Sequence, residues 1–290
     1  MLTLNLLGAG RLGKSIAQLA QQSGRYALAG IYSRSLVSST AACEWIGAGQ
    51  VAAQLSALPP ADLWLLAVPD GEIASVAAEL AQAGVVNTGA VVFHASGALA
   101  ADQLASLAAQ GAHCASWHPA FSFADPARAV ATFAGSFCTL EGAPTALSTL
   151  DIFTQALGGQ SIYLPAADGA QRKQAYHAAL SMASNFQVAL AALAQQAAAQ
   201  AGLDQPVAHA LIASLMQQTL HNIAALGPAA ALTGPIVRGD HRTVAAHLAV
   251  LPQSLHAVYR ELGLQTVALA GERLSAAQHA ALRQLLQTVS

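Results

Sequence analysis

The sequence is poor in charged residues. Only 9% of its 290 residues are Asp, Glu, Lys or Arg, whereas an ordinary soluble domain has roughly 25%. The low charge and a positive mean hydropathy indicate that much of the surface is hidden, in a membrane or in a subunit interface. The most apolar stretch, residues 174–203, contains His177, Asn185 and several Ser and Gln residues, unlike the ~20 apolar residues of a membrane span. We therefore expect a buried or interface helix there and no membrane partner.

Basic residues and cysteines are also scarce. The net charge of −2 and the lack of a Lys/Arg stripe argue against a nucleic-acid partner, because phosphate contacts dominate such binding. Three scattered cysteines without a CxxC pair favour a reducing compartment. The first residues lack a signal-peptide pattern, so we expect a cytoplasmic protein. His113, Cys114 and His118 predict no metal site, since adjacent strand residues point to opposite faces and no fourth ligand is evident.

A glycine-rich motif stands near the start of the chain. The residues GAGRLG follow the short apolar run Leu2–Leu7 and precede a helical pattern that begins at Lys14. A strand, this turn and a helix form the context that a dinucleotide site requires, because the glycines let pyrophosphate approach the helix N-terminus. The alternative is an ordinary glycine-rich turn. The predicted cofactor-binding residues here are Gly8, Gly10, Arg11, Leu12 and Gly13.

The end of the second predicted strand bears on the choice of cofactor. NAD sites usually carry an acidic residue there, which binds the ribose 2′-hydroxyl. This chain has Ser33, Arg34 and Ser35 instead. Hydroxyl groups and a guanidinium can bind a 2′-phosphate, which a carboxylate would repel. We therefore predict NADP(H) as the cofactor, with a solvated Arg34 as the alternative.

Three more apolar strands are predicted within residues 62–70, 90–97 and 113–123. Parallel strands of this kind end at one edge of the sheet, where a bound dinucleotide passes. At these ends we predict two further cofactor contacts, Val68 and Pro69. We also predict three substrate contacts there, Ser96, His118 and Ser122. His118 could instead be a catalytic acid or a structural histidine, since its pKa cannot be read from the sequence.

After Pro165 the pattern changes to alanine- and leucine-rich helical stretches. The fold class that follows is an α/β Rossmann domain with a doubly wound, mostly parallel sheet, then an all-α domain built around a long helix. We set the domain limits at residues 1–165 and 166–290. The helices are predicted near Asp168–Ala201, Gln205–Leu226, Arg242–Leu251, Leu255–Leu262 and Ala276–Val289.

The segment LTGPIVRGD, Leu232 to Asp240, contains turn signals and the helix-capping candidate Asp240. These features leave Arg238 unexplained. A guanidinium is suited to binding a substrate carboxylate or phosphate in a bidentate manner, and the alternative is an ion pair at an interface. We predict Arg238 as a substrate contact.

The chain resembles the predicted oxidoreductases that join a Rossmann-like domain to a domain of unknown function 2520. The resemblance rests on GAGRLG, on Val68-Pro69, and on the motifs HASG, HPAFSF, KQAYHAALSMASNF and LTGPIVRGD. This architecture is similar to that of 6-phosphogluconate dehydrogenase, β-hydroxyacid dehydrogenases, ketopantoate reductase and pyrroline-5-carboxylate reductase. The resemblance implies a homodimer that forms through the helical domain and hides apolar surface.

The β-hydroxyacid dehydrogenases carry a catalytic lysine at the start of the long helix and an asparagine one turn later. Lys173 matches this lysine by position, and His177 stands where the asparagine is expected. Pyrroline-5-carboxylate reductases do not use that lysine. The resemblance implies Lys173 as the acid or base at the substrate oxygen, and we predict His177 as its assistant.

These features predict an NADP(H)-dependent oxidoreductase that transfers hydride to or from a small carbonyl, hydroxy-acid or imine substrate between the two domains. The alternative is a nucleotide-binding regulatory or scaffold protein without turnover, which the histidine at position 177 keeps open.

Overall fold

The computed structural model describes residues 1–165 and 169–287. Contacts divide the chain into two compact units, Met1–Met182 and a second unit from Ala183 onward. We call them the sheet unit and the helical unit. The sheet unit includes the first part of the predicted long helix, with Lys173. The domain limit at residues 165/166 stays a prediction.

The sheet unit contains one eight-stranded sheet with the order β3-β2-β1-β4-β5-β6-β7-β8. Its strands are β1 Leu2–Leu7, β2 Tyr26–Tyr32, β3 Gln50–Val51, β4 Leu63–Leu66, β5 Val91–His94, β6 His113–Pro119, β7 Phe137–Gly142 and β8 Gln160–Tyr163. All neighbouring strands are parallel except β6 and β7. The predicted doubly wound, mostly parallel sheet is confirmed.

Helices cover this sheet and connect its strands. They are α1 Arg11–Gln22, α2 Leu36–Ile46, α3 Ile73–Ala83, α4 Ala105–Ala108, α5 Pro126–Thr132, α6 Pro144–Ala156 and α7 Gly169–Ala183, with short 3₁₀ turns at Leu55–Ala57, Asp70–Glu72 and Ala101–Leu104. The continuous apolar strands β4 and β5 are buried throughout, as expected for central parallel strands. On one face, Phe93, Trp117 and Phe153 pack edge to face.

The helical unit contains α8 Asn185–Ala199, α9 Gln205–Leu226, α10 Pro228–Ala231, α11 His241–Val250, α12 Gln253–Ala270 and α13 Ala276–Gln287, with a 3₁₀ turn at Gly271–Arg273. Asp204 and Asp240 cap α9 and α11 by accepting hydrogen bonds from backbone amides. A small core joins residues of α11, α12 and α13. The predicted all-α second part of the chain is confirmed.

Two predicted helices differ from the structure. The helix predicted over Asp168–Ala201 is interrupted at Ser184, whose φ of −120° and ψ of −70° are not helical. Its predicted start at Asp168 and the predicted end of the last helix at Val289 lie outside the described residues. The helix predicted over Leu255–Leu262 continues through Gly263 to Ala270.

The continuation through Gly263 has a packing cause. A Cβ atom at this position would lie 2.9 Å from the Leu286 side chain, so the glycine allows α12 and α13 to approach closely. Its cost in helix propensity, about 1 kcal/mol, is offset by this packing. No helix within residues 1–165 and 169–287 is long and apolar enough to cross a membrane.

Candidate active site

A cleft of about 550 Å³ opens at the carboxyl ends of the parallel strands. The loops after β1, β2, β4 and β5 form its walls, all within the sheet unit. Every predicted cofactor residue lines this cleft: Gly8, Gly10, Arg11, Leu12, Gly13, Ser33, Arg34, Ser35, Val68 and Pro69. Ser96, a predicted substrate contact, lines the same cleft. These residues, predicted separately, are therefore brought together by the topology of the sheet.

Two of the three motif glycines are required by the protein's own packing. Gly8 has φ of +101°, and a Cβ there would lie 2.3 Å from the Ala67 carbonyl oxygen. A Cβ at Gly13 would lie 2.2 Å from the Gly8 carbonyl oxygen. The first and third glycines thus permit the tight turn and the close contact between α1 and the sheet.

Gly10 is different, because a Cβ there would meet nothing within 4 Å. Its φ of −72° is also one that any residue can adopt. It is the N-cap of α1, where no side chain caps the helix and no acidic residue lies in the first turn. The open space and the uncapped amides fit a pyrophosphate bound at this helix N-terminus.

The end of β2 presents hydroxyl groups and one guanidinium to the cleft. Ser35 caps α2 by accepting from the Ser38 amide, and Ser33 Oγ donates to the Ser35 carbonyl oxygen at 2.8 Å. Arg34 Nη1 lies 2.7 Å from Glu72 Oε1, with side chains 75% and 31% exposed. An ion pair this exposed is weak, so Arg34 can exchange Glu72 for another anion at little cost.

Lys173 of α7 is buried, with 1% exposure. Its Nζ donates to the Ser96 carbonyl oxygen at 2.9 Å and also to Ser116 Oγ. Burial lowers the pKa of Lys173 to about 8, although Glu141 and Asp70 act in the opposite direction. A lysine with this pKa can release and regain a proton near neutral pH.

The loop that accepts the lysine hydrogen bond is held by His94. The Ser96 amide donates to His94 Nδ1 at 3.2 Å, and His94 Nε2 lies 3.0 Å from the Ala100 carbonyl oxygen. Nε2 therefore carries the proton. Burial lowers the pKa of His94 to about 4, so the ring is neutral and serves as a fixed support.

His118 and His177 lie on either side of Gly97. A Cβ at Gly97 would be 2.9 Å from His118 Nε2 and 2.6 Å from His177 Nδ1. His118 Nδ1 lies 3.0 Å from the Tyr176 hydroxyl, which accepts from Thr139 Oγ1 at 2.7 Å. His177 Nδ1 is buried and has no hydrogen-bond partner.

The two remaining predicted substrate contacts are not part of this cluster. Ser122 is exposed on the loop after β6 and is not among the residues that line the cleft. Arg238 is exposed in the helical unit. Both stay predictions. Within the described parts of the chain, no group of three or more His, Cys, Asp or Glu residues could hold a metal ion.

Several members of the polar cluster were given no role from the sequence, although the strand ending in His94 was predicted: His94, Ser116, Thr139, Glu141 and Tyr176. A signal existed for two of them. Ser116 precedes His118 by two residues on a strand, and Tyr176 lies between the predicted residues Lys173 and His177. Thr139 and Glu141 depend on the antiparallel register of β6 and β7, which pairs them with His118 and Ser116.

Comparisons with known proteins agree with this architecture. Residues 1–119 match the model of a Rossmann-like domain, and residues 136–266 match the model of a domain of unknown function, DUF2520. The chain joins a Rossmann-like domain to a DUF2520 domain. The resemblance derived from the sequence motifs is thereby confirmed. A search of curated proteins found no match.

Solved structures with a similar fold cover nearly the whole chain. A Thermotoga maritima protein is 28% identical, with TM-score 0.62 and 98% of both chains covered. A candidate NADP oxidoreductase from Bacteroides fragilis is 19% identical, with TM-score 0.75 and coverage of 93% of this chain and 98% of that one. A pyrroline-5-carboxylate reductase from Coxiella burnetii is 16% identical, with TM-score 0.60 and 99% of both chains covered. The last two likenesses show a shared fold.

Proposed function

We propose that this protein is an NADP(H)-dependent oxidoreductase. The observation that carries the proposal is the double role of Ser96. This residue lines the cleft formed by the glycine motif, and its carbonyl oxygen accepts a hydrogen bond from the buried amine of Lys173. A proton-transfer group thus adjoins a cleft that fits a dinucleotide. The names of two structures with a similar fold, a candidate NADP oxidoreductase and a pyrroline-5-carboxylate reductase, agree with this class.

Different residues of the cleft would bind different parts of the cofactor. The amides at the start of α1, with the open space at Gly10, suit the pyrophosphate. Val68 and Pro69 would contact the middle of the dinucleotide after β4. Arg34, with Ser33 and Ser35 beside it, would bind the 2′-phosphate of NADP(H) after leaving Glu72. When bound, the dinucleotide supplies or accepts the hydride.

Lys173 is proposed as the acid or base of the reaction. It would donate a proton to the substrate oxygen in the reductive direction and remove it in the oxidative direction. Its pKa of about 8 leaves both forms accessible near neutral pH. Because Lys173 is only 1% exposed, the proton must pass through a neighbour such as Ser116, or the amine must first leave one of its acceptors.

The substrate class is proposed as a small carbonyl, hydroxy-acid or imine compound. Ser96 accepts a hydrogen bond from Lys173, and the ring centroids of His118 and His177 lie 6.1 Å apart beside Gly97, the residue after Ser96, which supports a shared role in substrate binding. Ser122 remains a candidate substrate contact in the sheet unit, and Arg238 stays a candidate that the sequence alone supports.

We also propose that two copies of the chain form a homodimer through the helical unit. Helix α8 has no buried residue and α9 has only Ala208, although both are rich in apolar side chains. Leu215 and Leu226 on α9 are each 61% exposed. Apolar faces of this extent usually mark an interface.

The test is a turnover assay with NADPH and a panel of small oxo acids, other carbonyl compounds and imines, followed by absorbance of the reduced nicotinamide. Oxidation of NADPH with one member of the panel is expected, and the Lys173→Ala variant should bind NADPH but lose this turnover. Tight NADPH binding with no turnover across the panel would favour a regulatory or scaffold protein instead.

A further inference from the structure

Ser116 is a polar residue at a central position of the sheet. It lies in β6, where the parallel register pairs it with His94 of β5, and its side chain is fully buried. A buried hydroxyl group without hydrogen-bond partners destabilises a fold. The proton and the lone pairs of this serine therefore both need partners inside the protein.

Three polar atoms form a closed triangle around this serine. Lys173 Nζ donates to the Ser96 carbonyl oxygen at 2.9 Å and also to Ser116 Oγ. Ser116 Oγ donates its own proton to the same carbonyl oxygen at 3.3 Å. When the lysine is protonated, each side of the triangle is therefore a hydrogen bond, and the hydroxyl group of Ser116 is both a donor and an acceptor.

The two partners of Lys173 respond differently when the lysine loses its proton. A carbonyl oxygen can only accept, so the Ser96 oxygen has nothing to give to the lone pair of a neutral amine. A hydroxyl group can donate as well, and rotation about its C–O bond turns the Ser116 proton from the Ser96 oxygen to Lys173 Nζ. The neutral amine then donates to Ser96 and accepts from Ser116, so the lysine keeps both partners.

Ionisable groups of four other elements interact with the charge of Lys173: Asp70 on the 3₁₀ turn after β4, His94 on β5, His118 on β6 and Glu141 on β7. On α7 itself, His177 follows one turn later. Burial lowers the pKa values of His94 and His118 to about 4, so both rings are already neutral when the lysine titrates. A substitution at Ser116 leaves all of these groups in the protein.

We propose that Ser116 is a positioning residue for Lys173, whose hydroxyl group binds the lysine in both of its protonation states. This inference rests on the proposed function, in which Lys173 exchanges a proton with the substrate oxygen. Ser116 would accept from the ammonium group before the proton leaves and donate to the amine afterwards. The amine is thus held at one place through the reaction, although it is buried and cannot be solvated by water.

The positioning role can be tested without a known substrate. The chain has only two lysines, Lys14 and Lys173, so ¹³C-labelled lysine gives two Cε signals, which Lys14→Ala assigns. In the full-length protein we expect Lys173 to titrate with a pKa of about 8. The midpoint should fall by about one pH unit in Ser116→Ala, because the ammonium group loses a charge-assisted hydrogen bond that is weaker for the neutral amine.

Two further variants show whether the hydroxyl group causes this shift. Ser116→Thr keeps a hydroxyl group and should titrate like wild type. Ser15→Ala is the matched control, since Ser15 of α1 is equally buried and its hydroxyl donates to the Arg11 carbonyl oxygen, away from Lys173. It should leave the Lys173 midpoint unchanged.

The exchange of hydrogen bonds can also be followed in the wild-type protein, which decides the matter if Ser116→Ala fails to fold. With ¹³C-labelled serine, the Cβ signal of Ser116, assigned through its backbone amide, should move with the same midpoint as the Lys173 signal. A Ser116 signal that stays constant through the lysine titration would overturn the inference. A folded Ser116→Ala variant with the wild-type Lys173 midpoint would overturn it as well.

Turnover distinguishes this inference from the proposed function. With a substrate from the panel, kcat/KM for reduction in Ser116→Ala should begin to fall about one pH unit below the wild-type value, since the acid is lost earlier. Coupled titration of Ser116 and Lys173 without turnover would support the exchange of hydrogen bonds and refute the enzyme. Turnover with an unchanged Lys173 midpoint in Ser116→Ala would support the enzyme and refute the role of Ser116.

Discussion

The sheet unit and the helical unit place their side chains differently. The sheet unit buries two apolar clusters, one on each face of its sheet, and it also buries Lys173 and His94. The helical unit has one small core, and its helices α8 and α9 expose most of their apolar residues. The first unit therefore contains a buried polar site, whereas the second exposes much apolar surface.

The two units also differ in their chemistry: the sheet unit has buried ionisable groups with shifted pKa values, and the helical unit has an apolar groove. Burial in the sheet unit lowers the pKa of Lys173 to about 8 and the pKa values of His94 and His118 to about 4. In the helical unit, the large groove of about 540 Å³ is lined mainly by apolar side chains. We infer that catalysis belongs to the first unit and association to the second, and each prediction below tests one side of this division.

The largest effect is expected from Lys173→Ala, which removes the proposed acid or base. General acid–base groups contribute about 100- to 10,000-fold, so the variant should lose that factor in kcat while NADPH affinity stays the same. The control is Lys14→Ala. Lys14, the other lysine of the chain, lies over the Trp45 ring on the sheet unit and should tolerate the change. Equal losses in both variants would contradict the role of Lys173.

The pH profile of wild-type kcat/KM tests whether Lys173 acts as an acid in reduction and as a base in oxidation. An acid must be protonated, so the reductive reaction should lose rate as pH rises through about 8, the pKa of Lys173. The oxidative reaction needs the free amine and should gain rate over the same interval. His118 and His94, with pKa values near 4, should add no step between pH 5 and 9. A profile that is flat near pH 8 in both directions would argue against Lys173.

Substitutions at two glycines of the motif should distinguish an effect on stability from an effect on cofactor binding. Gly8→Ala places a Cβ 2.3 Å from the Ala67 carbonyl oxygen at a φ of +101°, so it should lower the melting temperature as well as NADPH affinity. Gly10→Ala meets no atom within 4 Å and should melt like wild type. Its methyl group enters the pyrophosphate space, so NADPH affinity should fall about tenfold, equivalent to roughly 1.4 kcal/mol.

A substitution on the apolar surface of the helical unit should weaken the proposed dimer. Leu215→Glu puts a carboxylate on the exposed apolar face of α9, and the dimer dissociation constant should rise about 100-fold, since an unpaired charge in an apolar interface costs on the order of 3 kcal/mol. Sedimentation would report a shift towards the 29.4 kDa chain. Ile152→Glu, at a 51% exposed position of the sheet unit, is the matched control. A wild-type protein that sediments as a monomer would refute the dimer.

The smallest effect concerns the choice between NADP(H) and NAD(H). Arg34→Ala should weaken NADPH binding about 10-fold, the loss of one charge-assisted contact, and leave NADH binding unchanged. Glu72→Gln removes the carboxylate that pairs with Arg34 and should strengthen NADPH binding about threefold, a change of roughly 0.6 kcal/mol. Titrations of both variants with both nucleotides check this. An Arg34→Ala variant with wild-type NADPH affinity would remove Arg34 from the site.

The sequence predicted what depends on local pattern. Apolar runs located the strands, and the context of GAGRLG located the cleft, because a turn between a strand and a helix is a local feature. The sequence did not predict the interruption at Ser184. It also did not predict the passage of α12 through Gly263, which depends on close packing against Leu286. Thr139, which donates to the Tyr176 hydroxyl, could not be predicted either, because the antiparallel register of β6 and β7 places it opposite His118.

The central claim is that the sheet unit binds NADP(H) at the glycine motif, beside Lys173. The most direct test is a fluorescence titration of wild-type protein and the Gly10→Ala variant with NADPH and NADH. We predict saturable NADPH binding to wild type, stronger than NADH binding, and clearly weaker NADPH binding to a Gly10→Ala variant that melts at the wild-type temperature. Absence of binding of either nucleotide to folded wild-type protein would contradict the claim.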